Sequence, residues 1–221
     1  MVKTRISDGV TLLGRYEPCQ CGSFVLHNNG EAYIVEMPPC RNSVRNPWKD
    51  AKIFIERNQL QLKGLLVTHA HRDHTASYDR FRLTFPNAPL YLHSSLKGKL
   101  GYGVNEVYFS SPVLHLDVGG ELLLLIHAPK HSKEDQLIFF KGTVCSGDWS
   151  LGQAPDCNNY VPTVQKIKTL SFVRRYLMKL RYFVHTAYSA HANELRRPIS
   201  FWDMLTEMES YWSAQVLEKA A

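Results

Sequence analysis

Thr68-His69-Ala70-His71-Arg72-Asp73-His74 packs three histidines and one aspartate into six consecutive positions. The whole chain of 221 residues holds only 10 histidines, so a surface loop rich in histidine by accident is a poor account of this density. Just before it, Gly64-Leu65-Leu66-Val67-Thr68 is a short apolar run of the kind a buried strand carries. The cluster therefore falls at the carboxyl end of a strand, where α/β sheets gather their active sites. His69 and His71 are two apart, so their rings can converge on one point from extended or tightly turned backbone. Asp73 and His74 are adjacent and face a second point nearby. Neutral imidazole and carboxylate suit zinc, and also iron or manganese.

Away from this cluster the hydrophobic pattern alternates between strand and helix. Gly22 to Leu26 and Ala32 to Val35 are β-prone runs, and Asn28-Asn29-Gly30 between them is a hairpin turn signal. Pro38-Pro39 ends that meander. Residues 47 to 60 have helical spacing, with Trp48, Ile53, Phe54 and Leu60 on the apolar side. Tyr78 to Phe85 reads as a helix stopping before Pro86, and Leu90 to His93 as a strand. Two or three strands are expected between Glu106 and Phe140, and one more at Thr143-Val144-Cys145. Val164 to Leu180 is an amphipathic helix, Arg181 to Val184 a strand, and Ile199 to Leu217 a final helix. This alternation predicts one α/β domain over residues 1–221.

Composition sets the class. Hydrophobic residues make up 44% and charged residues 21%, which excludes a disordered chain. The net charge of +6 favours anionic small-molecule substrates, but the basic residues form no block of the kind nucleic-acid binding requires. The longest apolar run, Leu122 to Ile126, is far below the roughly 20 residues that span a bilayer. No signal-peptide pattern follows Met1, and the five cysteines are odd in number and scattered, so a reduced, cytoplasmic setting is expected. Cys19-Gln20-Cys21 has no second pair to complete a four-thiolate site and reads as ordinary thiols.

His69-x-His71-x-Asp73-His74 resembles the signature of the metallo-β-lactamase-fold hydrolases. The likeness extends along the chain. Phe85 to Tyr91 is similar to the family's next strand, Ile126-His127-Ala128-Pro129-Lys130-His131-Ser132 to its third-histidine segment, and Ser146-Gly147-Asp148 to its bridging aspartate. The resemblance implies an αββα sandwich of four layers, with a metal site at one edge of the two sheets. It implies two divalent metal ions, zinc first, with iron or manganese as alternatives. His69, His71 and His131 would hold one ion; Asp73, His74 and a last histidine would hold the other; Asp148 would bridge them. His185 is preferred for the last ligand over its rival His191, because it directly ends the strand read at Arg181 to Val184.

The implied chemistry is hydrolytic. Three imidazoles leave a dication an open position, and a water shared by two dications acquires a pKa near or below ~7. The resulting bridging hydroxide would attack an ester, thioester, lactone or related bond, with Asp73 orienting it. The alternatives are phosphodiester cleavage of RNA or DNA, and oxidation of a sulfur substrate at a single iron. Exported antibiotic hydrolysis is disfavoured by the missing export signal. The chain departs from the family pattern at three places, the first being Val184 where a glycine usually precedes the last histidine. Glu36 stands where an aspartate supports the ligands, and Lys130 replaces a glycine, which would add positive charge at the mouth of the site. His27, His93 and His115 have no ligand-spaced partners, and His127, four residues before His131, reads as structural. Lys97 to Asn105 and Leu151 to Pro162 are expected to wall the pocket.

Overall fold

The structure is a computed structural model that describes residues 4–41, 45–100, 105–151, 160–191 and 200–218. Its first seven strands form one sheet in sequence order: β1 (Thr4–Ser7), β2 (Val10–Tyr16), β3 (Cys21–Asn28), β4 (Glu31–Val35), β5 (Gln61–Leu66), β6 (Leu90–His93) and β7 (Glu106–Phe109). β1 to β4 are an antiparallel meander, while β4 to β7 pair in parallel. The parallel half needs crossovers. α1 (Pro47–Arg57) lies between β4 and β5, and α2 (Arg72–Thr75) and α3 (Tyr78–Thr84) lie between β5 and β6. The Asn46 side chain caps α1 by accepting from Lys49 N, and Pro47 opens the helix, where its missing N–H costs nothing.

The second sheet runs β12-β11-β10-β9-β8, built from β8 (Val113–Val118), β9 (Glu121–His127), β10 (Gln136–Phe140), β11 (Thr143–Cys145) and β12 (Thr186–Tyr188). Four strands therefore lie between Glu106 and Phe140, one more than the upper expectation, because Gly119 and Gly120 fold 113–127 into a tight hairpin. α4 (Thr163–Leu180) and α5 (Phe201–Glu218) pack on this sheet.

Three apolar layers hold the four structural layers together. Leu124 and Ile126 of β9 face Leu170, Val173, Leu177, Leu205 and Met208 of the helices. Leu123 and Leu125 of the same strand face the other way, meeting Phe24, Leu26, Val35 and Leu66 between the sheets. Ala51, Phe54, Ile55 and Phe81 cover the far side of the first sheet. The run Leu122 to Ile126 is continuous because both faces of β9 are buried. The result is the expected αββα sandwich. Among the described residues, no helix is long and apolar enough to cross a membrane.

One element is misplaced by the sequence reading. Arg181 to Val184 is not a strand. Arg181 adopts a left-handed conformation (φ 53°) and closes α4, with Arg181 N donating to Met178 O and Tyr182 N to Leu177 O. This is a Schellman-type ending, and the chain resumes extended pairing only at Thr186.

Candidate metal centre

The parallel pairing of β11 with β12 decides which late histidine reaches the centre. Thr143 pairs with Thr186 and Cys145 with Tyr188. The same register carried three residues further sets Asp148 beside His191. Carried one residue back, it sets Gly142 beside His185, and His185 N indeed donates to Gly142 O at 2.7 Å. His185 is exposed at the opposite end of β12, six residues before His191. The preference for His185 is therefore corrected, since the geometry gives that place to His191.

The remaining residues converge from four loops at the carboxyl ends of β5, β9, β11 and β12. His69, His71, Asp73 and His74 follow β5, with Asp73 and His74 in the single turn of α2. His131 sits in the loop between β9 and β10, Asp148 after β11, and His191 after β12. Two groups share Asp148, His69, His71, His131 and Asp148 on one side and Asp73, His74, Asp148 and His191 on the other, and a third, Cys21, His74 and His191, overlaps the second. In each, the ligand atoms lie within 4.8 Å of one another.

The two groups divide the carboxylate of Asp148. Its Oδ2 lies 3.7 Å from His69 Nε2 and 3.6 Å from His131 Nε2, and His131 Nε2 is 3.2 Å from His71 Nδ1. Its Oδ1 lies 3.1 Å from His74 Nε2 and 3.4 Å from His191 Nε2, and His191 Nε2 is 3.0 Å from Asp73 Oδ2. Ligands at about 2.05 Å from a tetrahedral ion stand ~3.3 Å apart, which is the spacing found. His69 Nε2, His74 Nε2 and Asp148 Oδ1 are buried and have no hydrogen-bond partner among the described residues. Lone-pair atoms buried in this way are costly unless a cation meets them, so the residues fit two metal ions.

Electrostatics favour positive charge here. Burial, then the neighbouring His74, pushes His69 down to about 2, leaving it neutral. The hydrogen bond from His191 holds Asp73 ionised, down to about 2. Burial would raise Asp148, but His74, His69 and His191 hold it well below the carboxylate range. Burial opposes charge on His74, yet Glu36, Asp148 and Cys21 outweigh it and raise that imidazole well above its usual value. A proton or a metal ion answers the same field.

Supporting contacts fix the loops. Glu36, buried, accepts from Thr68 N at 3.0 Å and from the Thr68 hydroxyl, whose oxygen stands 3.1 Å from His69 Nδ1. The longer side chain of Glu36 thus braces the first group through Thr68. Gly147 (φ 55°) must be glycine, since a Cβ there would meet Thr68 Oγ1 at 2.5 Å. Asp135 gathers Lys130 N, His131 N, Ser132 N and Ser132 Oγ, and so shapes the loop that carries His131. Burial pushes Asp135 up to about 6, and its four donors keep it ionised at neutral pH. Trp149 Nε1 donates to Ala128 O, tying the Asp148 loop to the same region.

Lys130 does not stand at the mouth. It is fully buried, its Nζ donates to Ser150 O at 2.9 Å, and it lies over the Trp149 ring. The charge expected at the entrance is taken up inside by a carbonyl and an aromatic face. Tyr160 is at the entrance instead, 62% exposed with its ring 6.5 Å from that of His71. Of the segments expected to wall the pocket, 101–104 and 152–159 lie outside the described residues. His127 stacks on His93 at 3.7 Å, away from both groups, as a structural histidine would. The reading of the early cysteines as ordinary thiols misses Cys21, whose buried sulfur is 3.8 Å from His74 Nδ1.

Similarity to solved structures agrees with this architecture. The DIM-1 metallo-β-lactamase superposes with a TM-score of 0.67 at 16% identity, over 97% of each chain. The chain has the metallo-β-lactamase fold. The FEZ-1 metallo-β-lactamase from Legionella gormanii gives 0.67 at 13% identity, over 100% of this chain and 97% of that one. A metallo-β-lactamase family protein from Thermus thermophilus gives 0.65 at 16% identity, over 97% of this chain and 82% of that one. In sequence, hydroxyacylglutathione hydrolase 1 of Vibrio vulnificus is 29% identical over 140 residues, 58% of this chain and 52% of that protein. A hydroxyacylglutathione hydrolase of Francisella tularensis subsp. novicida is 42% identical over 41 residues, 19% of this chain and 16% of that protein. The chain spans about half the length of the first of these relatives and a sixth of the second. No protein-family model matches it. With the metallo-β-lactamase fold in place, the two ligand groups lie at the edge of the two sheets that the sequence resemblance implies.

Proposed function

We propose that this protein is a metal-dependent hydrolase of acyl bonds, thioesters first and esters or lactones next, working with two divalent metal ions, zinc being the best match to the donor set. One observation carries the reading: Asp148 offers one oxygen to each of two imidazole groups, at 3.1 to 3.7 Å. Two cations in these positions would make water acidic enough to attack at neutral pH and would polarise the carbonyl oxygen. The chain's own residues prepare that chemistry. His69, His71 and His131 present three imidazole nitrogens that leave a position open to substrate. Asp73, ionised and hydrogen-bonded to His191, orients the attacking water and keeps its proton directed into the second group. The buried hinge Glu36–Thr68 prevents His69 from turning away. Tyr160 offers an aromatic wall for the acyl or thiol part of the substrate.

The preference for a thioester is supported by the relatives, whose names describe hydrolysis of a hydroxyacyl-glutathione conjugate. The net charge of +6 suits an anionic thiol carrier of that chemical type. The test is a substrate panel on the zinc-reconstituted protein: an S-hydroxyacyl glutathione thioester, a simple aryl ester, a lactone and a bis-phosphodiester. Metal-dependent turnover of the thioester that a chelator abolishes is the expected result. Turnover of the phosphodiester alone overturns the acyl-bond reading, and oxidation of a sulfur substrate with one fixed iron overturns the hydrolytic one.

A further inference from the structure

The two groups at the metal centre are braced from different parts of the chain. Glu36 serves the first through Thr68, and its hydrogen bonds go there and not to His74. Although Glu36 Oε1 lies 3.4 Å from His74 Nδ1, the hydrogen-bonded neighbour of that nitrogen is the Cys21 sulfur at 3.8 Å. Cys21 is fully buried, and its thiol is directed at Gly22 O, also at 3.8 Å, which leaves sulfur lone pairs for His74 Nδ1–H. Two residues earlier, the Cys19 carbonyl stands 3.0 Å from His191 Nδ1. A carbonyl can only accept, so His191 carries a proton on Nδ1, while its Nε2 donates to Asp73 Oδ2 in the metal-free chain and is the nitrogen a metal ion would take in exchange for that proton. Gln20, between the cysteines, is in the left-handed region (φ 57°), which turns the Cys19 carbonyl and the Cys21 side chain into the same space. Gly22 N donates to Ala190 O at 3.0 Å, fastening this turn to the loop that delivers His191.

We propose that the turn between β2 and β3 is the positioning element of the second metal group. Cys21 acts as a positioning residue for His74, and the Cys19 carbonyl does the same for His191. Each fixes the tautomer that aims Nε2 at Asp148. The inference rests on the binuclear reading above. It differs from simple ligation, because the sulfur accepts the His74 Nδ1–H hydrogen bond and stays outside the metal's coordination sphere.

Stepwise chelator competition on the full chain measures the affinity of each metal equivalent separately. Cys21→Val removes the acceptor at similar volume, Cys21→Ser restores one, and Cys40→Val changes a half-buried thiol whose charged neighbours are Lys49 and Asp50. The expected result is a 10- to 100-fold weaker second equivalent in Cys21→Val, the size of loss that removing an outer partner causes. The first equivalent should be unchanged, Cys21→Ser should recover most of the loss, and Cys40→Val should bind as wild type. The cobalt-substituted wild type should show no thiolate-to-cobalt charge-transfer band. An unchanged second equivalent in Cys21→Val, with two equivalents in wild type, overturns this proposal alone. A thiolate band in wild type makes Cys21 a ligand and also overturns it. Fewer than two equivalents in wild type overturns both this proposal and the binuclear reading.

Discussion

His191 Nε2 lies 3.0 Å from Asp73 Oδ2, across 118 residues of sequence. The contact joins the loop after β12 of the second sheet to the single turn of α2, which follows β5 of the first. It follows from the parallel register of β11 and β12, which sets the residue three beyond Tyr188 beside Asp148.

The last ligand is tested by paired substitutions. His191→Ala should lose one metal equivalent and at least about 100-fold in kcat/KM, more than the 10- to 100-fold typical of an outer partner. His185→Ala should keep both equivalents and near-full activity, because His185 is exposed beside Gly142. Elemental analysis of the two purified variants side by side gives the answer, and the opposite pattern would restore His185.

Much of this centre is legible in the sequence, and the reason is local density. His69, His71, Asp73 and His74 lie within six residues, so their convergence needs only one turn. His131 and Asp148 follow recognisable strand ends. The final histidine is misread because Tyr182-Phe183-Val184 has a strand's composition while the left-handed Arg181 has already committed the backbone to a helix ending. Val184 is buried in the apolar cluster shared by α4, α5 and the second sheet, and not as a rung of that sheet. Cys21 and Lys130 are beyond the reach of pattern for a different reason. Where a side chain of a loop or strand end points depends on partners such as His74 and Ser150, which are far away in sequence.

Glu36 is expected to matter through Thr68. Glu36→Ala would leave the Thr68 N–H and hydroxyl buried without their acceptor, costing about 1–3 kcal/mol of stability for each group left unpaired. Metal affinity of the first group should fall by about 10- to 100-fold. Glu36→Asp should recover part of both losses. Denaturant unfolding and chelator titration of the two variants check the claim, and a wild-type first-equivalent affinity in Glu36→Ala would contradict it.

The stacked pair His93 and His127 should make stability fall in acid. Burial, then His127, pushes His93 down to about 4, and burial lowers His127 as well. An unfolded histidine titrates near 6.5, so between about 6.5 and 4 the unfolded chain binds more protons than the folded one. Stability is then full above about 6.5 and declines as pH falls toward 4. The groups facing the pair are Ser95, the Lys133 and Ser110 backbone, Phe109 and Glu134. None of them offers His93 a close carboxylate. His93→Asn should flatten this acid slope relative to wild type in the metal-free protein, at some cost in stability at neutral pH. Melting temperatures at pH 7.5, 5.5 and 4.5, values chosen to bracket the window of about 6.5 to 4, read it out. An identical slope in both proteins would count against the pair.

The most direct test of the binuclear centre is the metal count of the reconstituted protein, measured by elemental analysis beside an Asp148→Ala variant. Wild type should hold two divalent ions per chain. Asp148→Ala should keep the ion held by His69, His71 and His131 and lose the other, because the second group loses its Oδ1 while the first retains three imidazoles. A wild-type value fixed at one or none, or an Asp148→Ala variant that keeps both ions at unchanged affinity, would contradict the claim that Asp148 joins two metal positions.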